Sequence, residues 1–256
     1  ENKIVTYGDA APAYTVSYSG FVNDNDNESD LITVPTATSD YTVGTGVSSS
    51  GMPITVSGGA DDNYTFNYID GTLTILPKNI SSATIELGAP LTYNGREQTQ
   101  EIASVTADGL TVTYAVLDGS DKGTDAKSYT LTIQGSGNFS GTATKAWSIA
   151  KRALTSDLFT VTGSYTYDGT AQEATYTVSD TAGNLTANDF SVAYKNNVRA
   201  GNTASIVFTA TEGGNYSGEV QLSFTIAKAV YDMSGISFED ASYVYDGTAK
   251  TLVITG

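Results

Sequence analysis

The sequence predicts an all-β chain, an elongated tandem array of small antiparallel β-sandwich domains of immunoglobulin-like type. Three observations predict it. The 256 residues include 26 Gly and 17 Tyr, are rich in Thr, Ser, Val and Ile, and show no window of ten or more residues with helical periodicity. That is the composition of short strands joined by Gly, Asn, Asp and Ser turns. Apolar residues alternate at period two in paired runs, the pattern of strands with one buried face. The pattern then recurs about every 75 residues, so one small unit is written several times.

The recurrence is clearest at the closing strands. "NFSGTATKAWSIAKR" starts at Asn138 and "NYSGEVQLSFTIAKA" at Asn215, while "NYTFNYIDGTLTILPK" starts at Asn63. The three Asn residues stand 75 and 77 apart. Before each Asn, Ile54 and Val56 correspond to Tyr129 and Leu131 and to Ile206 and Phe208. After it, Leu73 and Ile75 correspond to Trp147 and Ile149 and to Phe224 and Ile226. Two alternating strands around a Gly- and Asn-bearing turn predict a hairpin, since Asn tolerates positive φ and bonds nearby backbone. Weaker strands are visible upstream in "TVTYAVL", "ATYTV" and "FSVAY".

Each unit opens on a Tyr-x-Gly element, at Tyr93-Asn94-Gly95, Tyr167-Asp168-Gly169 and Tyr245-Asp246-Gly247, with a shorter Tyr7-Gly8 near the start. The longer form, "YTYDGTAQ" and "YVYDGTAK", appears twice. Boundaries follow at Lys78, Lys151 and Lys228. The expected domains are therefore 1–78 with an acidic loop, 79–151, 152–228, and 229–256 as the opening third of a fourth unit. Short connections without a Gly/Ser tract predict restricted neighbours. Residues 229–256 lack a closing hairpin of their own, and we expect them to be held by docking on the third unit or on another sheet edge.

These units resemble the MBG (mostly-beta, glycine-rich) and related YDG repeats that occur in tandem in large bacterial surface proteins. The first resembles the type with "TYGDAAPAYTVSYSGFV" and "PITVSGGADDNYTFNYIDGTLTI"; the later ones match the type with "YDGTA" and "NYSG…FTIAK". The resemblance covers essentially the whole chain. It implies a repetitive, extracellular, adhesin-like or stalk protein and names no ligand.

Composition removes whole classes of chemistry. No Cys means no disulfide, no thiolate metal site and no thiol nucleophile; no His removes the commonest general base and metal ligand. A net charge of −16 argues against nucleic acid and anionic membrane surfaces as partners. No run of 18 apolar residues offers a membrane span, so no membrane insertion is expected of residues 1–256.

Candidate features are few. "NDNDNESD" places Asp24, Asp26, Glu28 and Asp30 at alternate positions, as a calcium loop begins. Counting from Asp24, Ser29 and Pro35 stand where an EF-type loop needs Gly and Glu, which excludes that loop. A solvated acidic loop is the reading, a looser calcium site the alternative. Trp147, the single Trp, falls at a core position of the closing strand. The Tyr of each Tyr-x-Gly element is expected to be structural, with its hydroxyl satisfied at a domain edge. Asn-x-Ser/Thr occurs at Asn27, Asn63, Asn79, Asn138, Asn184 and Asn215, three of them turn residues of the repeat. Lys78, Lys151 and Lys228 sit at unit junctions, and no Lys–Asn isopeptide bond is expected there.

No catalytic, cofactor-binding or metal-ligating residue is expected, and no cofactor. The expected role is a monomeric spacer that projects a distal region from a bacterial surface. The alternative is direct binding of a protein or glycan by loops, with residues 23–30 and 44–52 of the first unit the places to test.

Overall fold

The alternating pairs become the centres of three four-stranded sheets that share one strand order. The structure is a computed structural model, and it describes residues 1–22, 26–235 and 241–251. In the first sheet Lys3–Thr6 lies beside Gly71–Leu76, then Met52–Ser57, then Thr36–Thr38. In the second, Leu91–Thr92 lies beside Thr142–Ala150, then Ser128–Gly135, then Tyr114–Val116. In the third, Tyr165–Thr166 lies beside Glu219–Ala227, then Gly201–Ala210, then Phe190–Lys195. Among the described residues only two short 3-10 turns, Glu28–Asp30 and Ser156–Leu158, are helical. The protein is all-β.

Sequence periodicity does not reveal one feature of these sheets. The central pairs are antiparallel, but each opening strand joins its closing strand in parallel, with Lys3 opposite Leu73, Leu91 opposite Ile149 and Tyr165 opposite Ile226. Alternation reports which face is buried, not strand direction. The expected core positions are buried in all three sheets: Ile54, Val56, Leu73 and Ile75; Leu131, Trp147 and Ile149; Ile206, Phe208, Phe224 and Ile226.

A local turn ends the opening strand. Asp168 Oδ1 accepts from the Thr170 backbone N–H and hydroxyl, both at 2.8 Å, while Gly169 takes φ +86°. Asp246 repeats this with Thr248 at 3.0 and 2.6 Å around Gly247. Asn94 does so with the Arg96 N–H at 3.0 Å. Positive φ requires the Gly, and the short acceptor before it closes the turn without help from a sheet.

The "NFSG" and "NYSG" motifs join antiparallel neighbours, Ser128–Gly135 to Thr142–Ala150 and Gly201–Ala210 to Glu219–Ala227, as the hairpins read from the sequence require. They are excursions between paired strands that capture the first residues of their own segment. The Asn138 carbonyl accepts from Lys78 N–H at 2.9 Å and the Ser140 carbonyl from Ile80 N–H at 2.9 Å. Asn215 and Ser217 do the same for Arg152 at 3.0 Å and Leu154 at 2.8 Å. Phe139 and Tyr216 are buried beneath these pairings. The spacing thus makes Arg152, not Lys151, the counterpart of Lys78. Asn63 lies in a longer stretch between Ser57 and Gly71.

The chain divides into two compact units, Glu1–Ala150 and Lys151–Gly256. Within the first, a second sheet of Leu110–Thr111, Ile102–Ala107 and Thr84–Leu87 contributes Val105, Ala107 and Ile85 to the cluster that holds Leu131, Trp147 and Ile149. Val5, Tyr41, Ile54, Leu73 and Ile75 form a separate cluster, and Tyr7 packs against both. Within the second unit Phe159–Thr162 pairs with Thr175–Val178. Phe159 stacks on Phe208 at 4.0 Å and meets Phe190 edge-on at 5.3 Å.

The described part of residues 229–256 is not docked on the third unit. Ile236, Phe238 and residues 252–256 lie outside the described residues. Of the rest, Val230, Tyr231, Met233, Tyr243, Val244 and Tyr245 are exposed, and no strand is formed in 229–235 or 241–251. Tyr165, the counterpart of Tyr243, is placed by Ile226 from the far end of its own segment, and Tyr243 has no such strand beside it.

Candidate functional site

Asn23, Asp24 and Asn25 of the acidic loop lie outside the described residues. Of the remaining carboxylates, Asp26 and Asp30 are engaged. Asp26 accepts the Tyr64 hydroxyl at 2.6 Å, and Asp30 accepts the Asn27 N–H at 2.9 Å while the Asn27 amide oxygen takes the Ser29 N–H at 2.9 Å. This reciprocal capping box fixes the Glu28–Asp30 turn. Among the described residues no group of three acidic side chains is arranged to hold a metal ion.

Residues 44–52 are not a detached loop. The Val47 N–H donates to Asn138 Oδ1 at 2.8 Å, so the middle of this stretch is tied to the second segment. The same contact uses the side chain of one glycosylation-type Asn. Trp147 is core: its Nε1–H donates to the Ser120 carbonyl at 3.0 Å, and its ring stacks on Tyr129 at 4.5 Å. In "YTYDG" the first Tyr, not the second, has the satisfied hydroxyl. Tyr165 donates to the Thr162 carbonyl at 2.7 Å, whereas Tyr167 is 43% exposed.

Two polar clasps stand at corresponding places. Asp180 has a side chain only 1% exposed, met by Arg152 Nε at 3.1 Å and Nη2 at 3.2 Å, the Tyr216 hydroxyl at 2.9 Å and the Gly183 N–H at 2.9 Å. Burial alone would raise its pKa; the Gly183 N–H, the Tyr216 hydroxyl and Arg152 outweigh that and hold it below the usual carboxylate range. A side chain at Gly183 would collide with Tyr216 and Asp180. In the first unit Lys78, 13% exposed, bridges Asp108 at 3.0 Å and Asp9 at 3.2 Å. Hydrogen bonds from Asp108, then Asp9, raise its pKa. An amine held protonated is the reverse of what isopeptide chemistry needs. Structurally these are joints, each within its own unit.

One concave feature belongs to neither stretch named from the sequence. A cleft of about 610 Å³ opens in the first segment between residues 16–21 and 64–71. Tyr18, Phe21, Tyr64, Phe66 and Tyr68 line it with Glu1 and Asp70. Phe21 meets Tyr64 edge-on at 5.4 Å, and Phe66 and Tyr68 are parallel within 5° at 6.1 Å. The Tyr64 hydroxyl is taken by Asp26 and accepts from Val22 N–H at 3.2 Å; that of Tyr68 accepts from Gly59 N–H at 3.0 Å. These bonds fix the rings and leave their faces as the available surface. The hydrogen bond to Asp26 raises the Tyr64 pKa, and burial followed by the Glu28 charge raises that of Tyr18. Aromatic residues at every second position, Tyr64, Phe66 and Tyr68, were the available sequence signal. What hid it is that such a run reads equally well as a buried strand face.

No curated protein matches the chain. Residues 1–74 match the family model described as the MBG domain (YGX type), which supports an MBG domain across the first sheet and its aromatic cleft.

Proposed function

We propose that the chain is a structural spacer: tandem β repeats of an extracellular, adhesin-like bacterial protein that hold a distal region away from the surface. The observation that carries this reading is the joint between the first two segments. Tyr7 meets Phe139 edge-on at 5.4 Å, Lys78 bridges Asp9 and Asp108, and Val47 N–H bonds Asn138 Oδ1 at 2.8 Å. A spacer needs neighbours that resist bending, and packed aromatic and ionic contacts across a short connection supply that resistance. The recurring strand order of the three sheets supports repetition as the organising device, and the reading assigns the chain no catalytic step, no nucleic-acid partner and a monomeric state.

Solution scattering tests it. A compact 256-residue globule has a radius of gyration of about 18 Å. Three repeats end to end, each adding about 30–35 Å, give on the order of 30 Å. A value near the smaller figure would refute the spacer. Recovery of the native protein from the cytoplasmic fraction alone would refute its surface location.

A further inference from the structure

The aromatic cleft of the first segment plays no part in the joint that supports the spacer reading. We propose that it binds an organic cation, an alkylated ammonium or a basic side-chain head, against the faces of Phe66 and Tyr68. This stands independently of the spacer reading, since the cleft could be occupied or empty in either case.

The argument begins with size and lining. A cleft of about 610 Å³ suits a small ligand or one side chain. Its walls offer five aromatic rings, of which the two on Phe66 and Tyr68 are parallel. An aromatic face carries the negative side of the ring quadrupole, so it attracts a cation. With the hydroxyls of Tyr64 and Tyr68 engaged by Asp26 and Gly59, those rings hold their positions before any ligand arrives.

Charge selects the class. Asp70 lines the cleft, held by the Val56 N–H at 3.1 Å, and Asp26 stands behind Tyr64. The Val56 N–H is a neutral donor and does not offset the Asp70 charge. Glu1 is different, because Lys3 at 3.1 Å balances it, and the Glu1 amino group turns to the Thr15 carbonyl at 3.3 Å. Asp70 therefore sets the sign. The rise in the Tyr64 pKa, caused first by Asp26, agrees with a negative field at the rings. Phosphate, sulfate and carboxylate ligands would be repelled, and a neutral sugar would gain nothing from the carboxylate charge.

Calorimetric titration of the full chain with choline tests the proposal against 3,3-dimethylbutan-1-ol, its uncharged isostere. An N-acetyl-arginine amide distinguishes a basic side chain from a quaternary ammonium as the source. Choline or the arginine derivative should bind with a dissociation constant on the order of 1 mM, and the isostere about tenfold more weakly. Phe66→Leu, which keeps apolar bulk and removes the ring, should weaken cation binding several-fold. Asp70→Asn should do likewise while keeping the oxygen that accepts from Val56. Melting by circular dichroism identifies a variant that fails to fold; the choline–isostere comparison then carries the test alone. Equal binding of the isostere would overturn the proposal, as would no cation binding up to about 50 mM. So would a neutral trisaccharide that binds while choline does not, or cation affinity untouched by both substitutions.

Discussion

Asp180→Ala removes a carboxylate shared by four donors, Arg152, Tyr216 and the N–H groups of Ala182 and Gly183, so its cost can be worked from the structure. Tyr216 is buried and its hydroxyl would lose its 2.9 Å bond to Asp180, and the Gly183 N–H would lose its own of 2.9 Å. Each buried group left unpaired costs about 1–3 kcal/mol. Arg152 is 30% exposed and can turn to water, which keeps the total below the upper limit for breaking a buried pair. The expected loss is about 3 kcal/mol, a fall in melting temperature of roughly 15 °C for a segment of this size. Asp180→Asn keeps an acceptor and loses only charge, so it should cost about half as much. The pH dependence has a definite sign. A carboxylate whose folded pKa lies below its unfolded value of about 3.9 stabilises fully above that value and less as pH falls through the folded pKa. The gap between wild type and Asp180→Ala, measured by urea unfolding followed by circular dichroism, should therefore be widest near pH 7 and narrow below about pH 4. A loss under about 1 kcal/mol at pH 7, or a gap that stays constant down to pH 2, would refute the reasoning.

Lys78→Met should cost less than about 1 kcal/mol, because Asp9 and Asp108 are largely exposed. Its raised pKa places the contribution of the Lys78 bridge below the ordinary lysine range, to be lost as pH rises through the folded value; a urea series from pH 8 to 11 reads this. Gly141→Ala should destabilise by about 1–2 kcal/mol, since φ is +79° and a Cβ would stand 2.8 Å from Asn79 Nδ2. Gly213→Ala, with φ +76° and open space, should cost less in the same thermal melts. Leu131→Ala should cost about 3 kcal/mol, read from the fluorescence of Trp147, the chain's one tryptophan. Calcium at millimolar concentration should leave the melting temperature where equal ionic strength of magnesium leaves it, because Asp26 and Asp30 are engaged by Tyr64 and Asn27.

The strands that bury one face were legible because alternation is a direct consequence of the pleat. Ile54, Leu73, Leu131, Ile149, Phe208 and Ile226 were identifiable from spacing and are all buried. Direction was not legible, because two- to four-residue opening strands such as Leu91–Thr92 carry too few side chains to show a register. The Asn138 and Asn215 motifs were legible as hairpin connections, but what they capture was not. Their work is done by backbone carbonyls toward Lys78 and Arg152, and carbonyls leave no mark on the sequence. Asp180 could not be picked from 28 acidic residues, since only folding brings Arg152 and Tyr216 to it. The cleft was not legible because aromatic residues at alternate positions, Tyr64, Phe66 and Tyr68, read the same whether they are buried or line a cleft.

The parallel pairing of first strand with last sets the order in which a segment can be finished. Leu91 waits for Ile149 and Tyr165 waits for Ile226. A ribosome delivers the N-terminal strand first, and at about 5–20 residues per second the partner follows roughly 3–12 s later. Until then the Asp-Gly turn can close on its own, but the strand before it has no neighbour. Each segment is thus latched by its latest arrival, a non-local pairing of the kind that slows folding. A pause in synthesis late in a segment leaves the latch open beside exposed sheet edges, which is where mispairing with another chain would start.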